Sequence, residues 1–167
     1  FAAHELEGRE DEEARRLHDL AHARPEELPL VLIEDGDTLR APEPVDVATA
    51  LGLRTRAEKP LYDLCIVGGG PAGLAAAVYG ASEGLDVVLI EGHAPGGQAG
   101  QSAAIENYLG FPKGVSGEQL AVLAMEQVDK FKAEVVLARE VVGFEARGPV
   151  RAVQFADGTE IETKALL

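Results

Sequence analysis

The stretch "LYDLCIVGGGPAGLAAAVYGASEGLDVVLIE" runs from Leu61 to Glu91. It opens as a short apolar strand that enters Gly68-Gly69-Gly70-Pro71-Ala72-Gly73, a GxGxxG followed by a helical run. The three spaced glycines have separate physical uses. Gly68 permits a tight turn, Gly70 lets backbone approach a pyrophosphate, and Gly73 lets helix and strand pack closely. Pro71 sits in the first turn of the helix, where a missing N–H is harmless. Gly84 ends that helix. "LDVVLIE" follows as a second strand, apolar throughout like a strand buried on both faces. The helix N-terminus offers free N–H groups and a dipole that favours an anion. Glu91, at the end of the second strand, stands 23 residues after Gly68, near the spacing of about 20 at which an acid accepts hydrogen bonds from a ribose. A carboxylate there disfavours a 2′-phosphate. This is a βαβ unit for a dinucleotide, and the fold class expected is α/β with a Rossmann-like parallel sheet.

Beyond Glu91 the pattern breaks. "IEGHAPGGQAGQSAAIENYLGFP" (Ile90–Pro112) has glycines at 92, 96, 97, 100 and 110, and no clear helix before about Ser116. Structureless loops beyond about 12–15 residues are uncommon unless they carry function. Gly96 and Gly97 would let backbone lie flat against a planar ligand. Gln98 and Asn107 offer amide donors and acceptors suited to a flavin's carbonyls and ring nitrogens. Ile105, Tyr108, Leu109 and Phe111 are expected to tie the loop down.

"SGEQLAVLAMEQVDKFKA" then reads as a helix with Ser116 and Gln119 as a capping box. Its expected buried stripe is Leu120, Leu123, Ala124, Val128 and Phe131. "AEVVLA" is a third strand, and three further short strands follow, separated by Arg147-Gly148-Pro149 and Asp157-Gly158.

Residues 1–53 form a separate block of helix, strand, strand, helix. The first helix is expected from about Arg9 to Ala23, with Leu17, Leu20 and Ala21 on one face. The strands are Leu28–Gly36 and Thr38–Arg40, turning at Asp35-Gly36. The last helix covers about Val45–Leu51, closed by Gly52. Residues 54–60, "RTRAEKP", read as a linker, and 61–167 as the nucleotide-binding domain.

Composition bounds the partners. The 167 residues carry a net charge of −14, which would repel nucleic acid and anionic membranes, so neither is expected as a partner. No apolar run approaches the roughly 20 residues of a membrane span. Cys65 is the one cysteine, so no intrachain disulfide or cysteine zinc site is available. It reads as a small buried residue rather than a redox thiol. The chain begins with Phe1 and ends in a strand-like "TKALL", which reads as a piece cut from a longer protein.

Taken together, "DLCIVGGGPAGLAAAVYGASEGLDVVLIEG", "GGQ", "IENYLGFP" and "SGEQLA" resemble the FAD-binding domain of bacterial thioredoxin-reductase-like flavoproteins, within the pyridine nucleotide-disulfide oxidoreductase family. GGQ followed by IENY is far more specific than GxGxxG. The resemblance implies an incomplete FAD-binding domain of an enzyme passing electrons from NADPH through FAD to a disulfide or another acceptor. Gly68, Gly70, Pro71, Ala72 and Gly73 would surround the pyrophosphate, and Glu91 would hold the adenosine ribose. Gly96, Gly97, Gln98 and Asn107 would border the isoalloxazine. The exit of the third strand, at Glu140-Val141, would reach the adenine by backbone. It further implies an NADPH-binding domain with a reducible dithiol after Leu167, a thioredoxin-like disulfide protein as partner, a homodimer and a cytoplasmic location. These residues alone would bind FAD poorly and be inactive.

Residues 1–52 are similar to the second half of a thioredoxin- or glutaredoxin-like domain. "ELPLVLIEDG" carries that likeness, with Pro29 expected cis. Two alternatives stay open: a flavin-based redox sensor, and another FAD oxidoreductase of the monooxygenase or amine oxidase type. His93 could protonate a reduced flavin but reads first as an exposed loop histidine. His18 and His22 stand at i, i+4 without supporting metal ligands. Tyr79 reads as packing. No catalytic residue and no metal site is expected.

Overall fold

The computed structural model describes residues 12–22, 24–33 and 38–167, with the side chains of 13, 14, 17, 18 and 25 outside the description. The chain divides into two compact units, Phe1–Leu51 and Gly52–Leu167.

In the first unit, α1 covers Glu12–Ala21, β1 Leu30–Leu32, β2 Thr38–Arg40 and α2 Pro44–Ala50. β1 and β2 pair antiparallel, Leu30 opposite Arg40. The expected turn at Asp35-Gly36, the start of the first helix before Glu12 and the side chain of Leu17 lie outside the described residues. Leu20 is exposed rather than packed. Pro29 follows a cis peptide bond. Gly52 takes a left-handed φ of 70° just after α2, where a side chain would be disfavoured. Glu27 is held by two arginines. It accepts from the Arg24 N–H and guanidinium and from Arg40, and its carboxyl falls to about 2, chiefly through the Arg24 N–H.

The second unit is α/β, as its sequence predicts. β3 (Leu61–Val67), β4 (Val87–Glu91) and β5 (Glu134–Leu137) are parallel. α3 (Pro71–Ser82) joins β3 to β4, and α4 (Gly117–Phe131) precedes β5. β6 (Val141–Arg147), β7 (Val150–Phe155) and β8 (Glu160–Leu166) form an antiparallel meander. Its last strand lies parallel beside β3 and completes a sheet of order β5-β4-β3-β8-β7-β6.

β4 is the centre of the core, with all five residues buried. Val87 and Leu89 face the helices with Ile66, Leu74, Ala77 and Val128. Val88 and Ile90 face the other way, with Cys65, Val136, Val153 and Phe155. Each such aliphatic side chain contributes about 1.5–3 kcal/mol on burial, which explains an unbroken apolar strand. Cys65 has no exposed surface, and burial pushes its thiol up to about 12.

Two helix faces differ from expectation. Along α4 the inward line is Gly117, Leu120, Ala124 and Val128. Leu123 lies round the side of that line at helical spacing, and Phe131 closes the helix just before the chain reverses at Lys132. Both are exposed. On α3, Leu74 and Ala77 point inward. Tyr79 falls on the opposite side and is 74% exposed, so it does not pack.

Residues 54–60 lie along the second unit. Arg54 O accepts from Leu137 N–H, and Glu58 N–H donates to Glu134. The Tyr62 hydroxyl, pushed up by burial and then by its bond to Glu134, accepts from Lys59 N–H. No helix among the described residues is long and apolar enough to cross a membrane.

Candidate functional site

The C-terminal ends of β3, β4 and β5 lie side by side, the place where open α/β sheets take ligands. β3 leaves the sheet at Gly68, whose φ of 107° is open to glycine and closed to most residues. Its N–H still donates to Ile90 O at 2.8 Å, so the turn starts locked to the neighbouring strand. α3 begins at Pro71 with Gly70 as its N-cap. The first intrahelical bond runs from Leu74 N–H to Gly70 O, which leaves the N–H groups of Ala72 and Gly73 without an acceptor in the helix.

The glycines of the motif separate by what a side chain would meet. A Cβ on Gly73 would lie 2.0 Å from Gly68 O, so this glycine is required by the fold. A Cβ on Gly70 would meet nothing within 4 Å. Nothing inside the protein requires glycine at 70. The open space in front of it, bordered by free helix N–H groups, fits a pyrophosphate.

Glu91 is buried, with 8% exposure. A buried carboxylate needs donors. Gly69 N–H donates to its Oε2 at 2.6 Å and His93 N–H to its Oε1 at 2.8 Å. Each oxygen keeps a second lone pair for a ribose hydroxyl. The carboxylate therefore serves the fold and remains able to accept from a ligand. His93 contributes its backbone here, and its side chain is exposed.

The long loop is more ordered than its sequence reading. Residues Gly97–Gln101 form a 3₁₀ turn. Gly96 and Gly97 both have positive φ, 103° and 53°. Gly96 N–H donates to Gly69 O at 2.7 Å, and a Cβ on Gly97 would stand 3.4 Å from Gly70 Cα. The GGQ segment thus lies directly on the glycine-rich turn, with Gln98 exposed. Farther on, Ile105 and Val115 exchange both backbone hydrogen bonds, at 2.8 and 3.0 Å. Tyr108 and Phe111 rings pack at 6.0 Å. Leu109 is 95% exposed and anchors nothing. It sits at the outer bend just before Gly110, which has a φ of 93°. Asn107 lies exposed on the same bend.

Gly117 is a residue the sequence reading passed over. A Cβ there would lie 1.7 Å from Ala99 O, and its N–H donates to Ser102 O at 2.8 Å. The first turn of α4 therefore presses on the 3₁₀ turn. The signal was available in the sequence: a glycine directly after the N-cap, where helix formers are favoured. Ser116 accepts from Gln119 N–H at 3.1 Å, the N-cap half of the expected capping box.

Val141 starts β6, opposite Phe155. The connection leading to it passes beside the end of β4, with Arg139 N–H 3.4 Å from Glu91 O. A cavity of about 490 Å³ lies at the other end of the parallel strands, lined by Tyr62, Asp86 and Glu134 among others. Several of its charged groups pair with one another, Arg54 with Glu58 and Glu134, and Lys59 with Asp86. None of its lining residues belongs to the glycine turn, and it is not the candidate site. Among the described residues no cluster of His, Cys, Asp and Glu could hold a metal. The pairing of His18 with His22 falls outside the described side chains.

The pyridine nucleotide-disulphide oxidoreductase family matches residues 62–167. Over 76 residues the chain is 43% identical to a thioredoxin reductase of Ureaplasma parvum, covering 46% of this chain and 24% of that protein. Over 105 residues it is 37% identical to a thioredoxin reductase of Peptoclostridium acidaminophilum, covering 63% and 32%. The crystal structure of thioredoxin reductase from Streptococcus pyogenes superposes with a TM-score of 0.60 at 38% identity, covering 64% of this chain and 34% of that one. The chain thus spans about a quarter to a third of the length of the curated relatives it matches.

Proposed function

The chain belongs to the pyridine nucleotide-disulphide oxidoreductase family, and from that premise we propose that it is the FAD-binding part of an NADPH-dependent, thioredoxin-reductase-like enzyme. Electrons pass from NADPH through FAD to a disulfide, with a thioredoxin-like protein as the partner. FAD supplies the redox chemistry, and this chain's residues bind and orient it. Gly68, Gly70, Pro71, Ala72 and Gly73 cradle the pyrophosphate, and Glu91 receives the ribose hydroxyls. Gly96, Gly97, Gln98 and Asn107 border the flavin ring, and backbone near Val141 meets the adenine. The burial of Cys65, the one cysteine here, fits a reducible dithiol carried elsewhere in the protein.

In this reading residues 1–53 are part of a thioredoxin-like domain, 54–60 the connector, and 61–167 part of the FAD domain. The whole protein is a cytoplasmic homodimer.

The observation that carries the proposal is the contact of the GGQ segment with the glycine-rich turn, through Gly96 N–H and Gly69 O. A unit holding only a nucleotide needs no such second platform. The test uses the full-length protein. It should purify with, or take up, one FAD per chain. NADPH should bleach the flavin without oxygen, and an oxidised thioredoxin should restore its colour. A protein that takes up no FAD contradicts the proposal. One whose FAD is bleached but never reoxidised by thioredoxin disulfide contradicts the acceptor alone.

A further inference from the structure

Arg139 joins the end of β4 to the turn between β7 and β8. Its backbone N–H meets Glu91 O at 3.4 Å, at the end of the strand that bears the candidate ribose acceptor. Its guanidinium reaches the other way, to the turn between β7 and β8. There Nη1 and Nη2 donate to the two carboxylate oxygens of Asp157, each at 2.8 Å, and Nη2 also donates to Thr159 Oγ1 at 2.6 Å. The guanidinium carbon sits 4.5 Å from the centre of the Phe155 ring. The Arg139 side chain is 11% exposed and that of Asp157 48%, so the guanidinium is held, stacked and two-pronged while its carboxylate partner stays open to solvent.

The turn that receives it is itself well tied. Asp157 accepts from both the N–H and the hydroxyl of Thr159, and Phe155 N–H donates to Thr159 O. On the far side of Arg139, Glu140 O accepts from Ala156 N–H at 3.1 Å. Just before it, Ala138 holds a left-handed φ of 54°, a conformation that persists in a non-glycine residue only when its surroundings impose it. The short connection 138–140 is thus bent sharply and fastened at both ends. One end is the acid-bearing strand, and the other is a hydrogen-bonded turn gripped by Arg139.

We infer that Arg139 is a positioning residue for the adenosine end of the dinucleotide. By clasping the β7–β8 turn it fixes the backbone of 139–141 against Glu91, and so sets the wall that the adenine and ribose meet. It touches no reacting atom. The inference rests on the FAD reading above, and it separates the two ends of the ligand: Arg139 governs the nucleoside end and leaves the flavin end alone.

The test measures affinity in the full-length protein for FAD, for ADP and for FMN. ADP carries the adenosine and pyrophosphate, and FMN carries the flavin without adenosine. Arg139→Ala should weaken FAD and ADP by the same factor, about tenfold, and leave FMN unchanged. Arg139→Lys keeps the charge but loses the fork, and should recover only part of the loss. Should Arg139→Ala fold poorly, Asp157→Asn leaves Arg139 in place and should show the same split more weakly. FAD and ADP affinities within about twofold of the unmodified protein overturn the inference, as does a loss shared equally by FMN. If the unmodified protein takes up neither FAD nor ADP, the dinucleotide reading fails and the inference falls with it. If it takes up both and Arg139→Ala does so with unchanged affinity, the inference alone falls.

Discussion

Gly96 donates its N–H to the carbonyl of Gly69 across 2.7 Å, joining the loop after β4 to the glycine turn after β3. Two segments that a sequence places 27 residues apart therefore form one surface. Gly97 lies against Gly70, close enough that an added Cβ would come within 3.4 Å of its Cα. A ligand bridging a helix N-terminus and the 3₁₀ turn beside it is what this surface suits. The glycines on it also do different work, which makes them separable by substitution.

Gly73→Ala should destabilise the protein. In an open helix the change would gain about 1 kcal/mol. Here the new Cβ lies 2.0 Å from Gly68 O, a backbone atom that cannot step aside without moving the turn. The expected net loss is about 1–3 kcal/mol, read from urea unfolding, together with loss of bound FAD. An unchanged midpoint would show that the turn is not fixed by this contact.

Gly117→Ala should disturb the loop more than the sheet. Its Cβ would lie 1.7 Å from Ala99 O and 2.7 Å from Ala99 C. The 3₁₀ turn must lift off α4, or α4 must start later. Limited proteolysis should then cut within 97–104 at a concentration of protease that spares the unmodified protein. A cleavage pattern that does not change would contradict the packing of these two elements.

Glu91→Ala should cost stability even without ligand. It strips the acceptor from Gly69 N–H and His93 N–H, and one orphaned buried donor costs about 1–3 kcal/mol. Glu91→Gln keeps one acceptor oxygen and should fall between. FAD affinity should drop in the same order. Equal stability of all three proteins would remove Glu91 from the turn's support.

The acid limb of stability should depend on Asp157. The Thr159 hydroxyl and N–H, and then Arg139, bring its carboxyl from 3.8 down to about 2. A carboxyl lowered by folding adds stability above its unfolded value, and that stability is lost as pH falls through its folded value. The window is therefore about pH 4 to 2. Asp157→Asn should unfold with a flatter pH dependence across that window than the unmodified protein. Glu27, Asp63 and Glu160 are lowered in both proteins, so identical slopes would assign Asp157 no role.

The βαβ core was legible because each of its residues answers a local constraint. Gly68 supplies a left-handed turn, Pro71 starts a helix, and β4 is apolar on both faces because both faces are covered. The meander's fate was not local. β8 lies beside β3 through pairs such as Tyr62 with Thr163, and no nearby residue announces a partner 101 positions away. Spacing alone also misjudged single positions. Tyr79 and Leu123 sit on apolar helices but turn outward, since only one side of each helix meets the sheet. Leu109 follows an anchoring tyrosine yet rides the outside of a bend. The 3₁₀ turn at 97–101 has no periodicity to betray it, and it depends on contact with Gly117, far along the chain. Arg139 gave no sign at all, because its worth lies in what the turn at 157–159 brings to it.

The most direct measurement is the FAD content of purified, full-length Gly70→Val beside its thermal stability without ligand. A Cβ at Gly70 meets nothing within 4 Å, so a side chain begun there starts into the space assigned to the pyrophosphate. The expected result is a ligand-free protein that still folds, its melting temperature lowered by no more than a poorer N-cap costs, and no retained FAD. Normal FAD content in this variant would contradict the assignment of the glycine turn as the dinucleotide cradle.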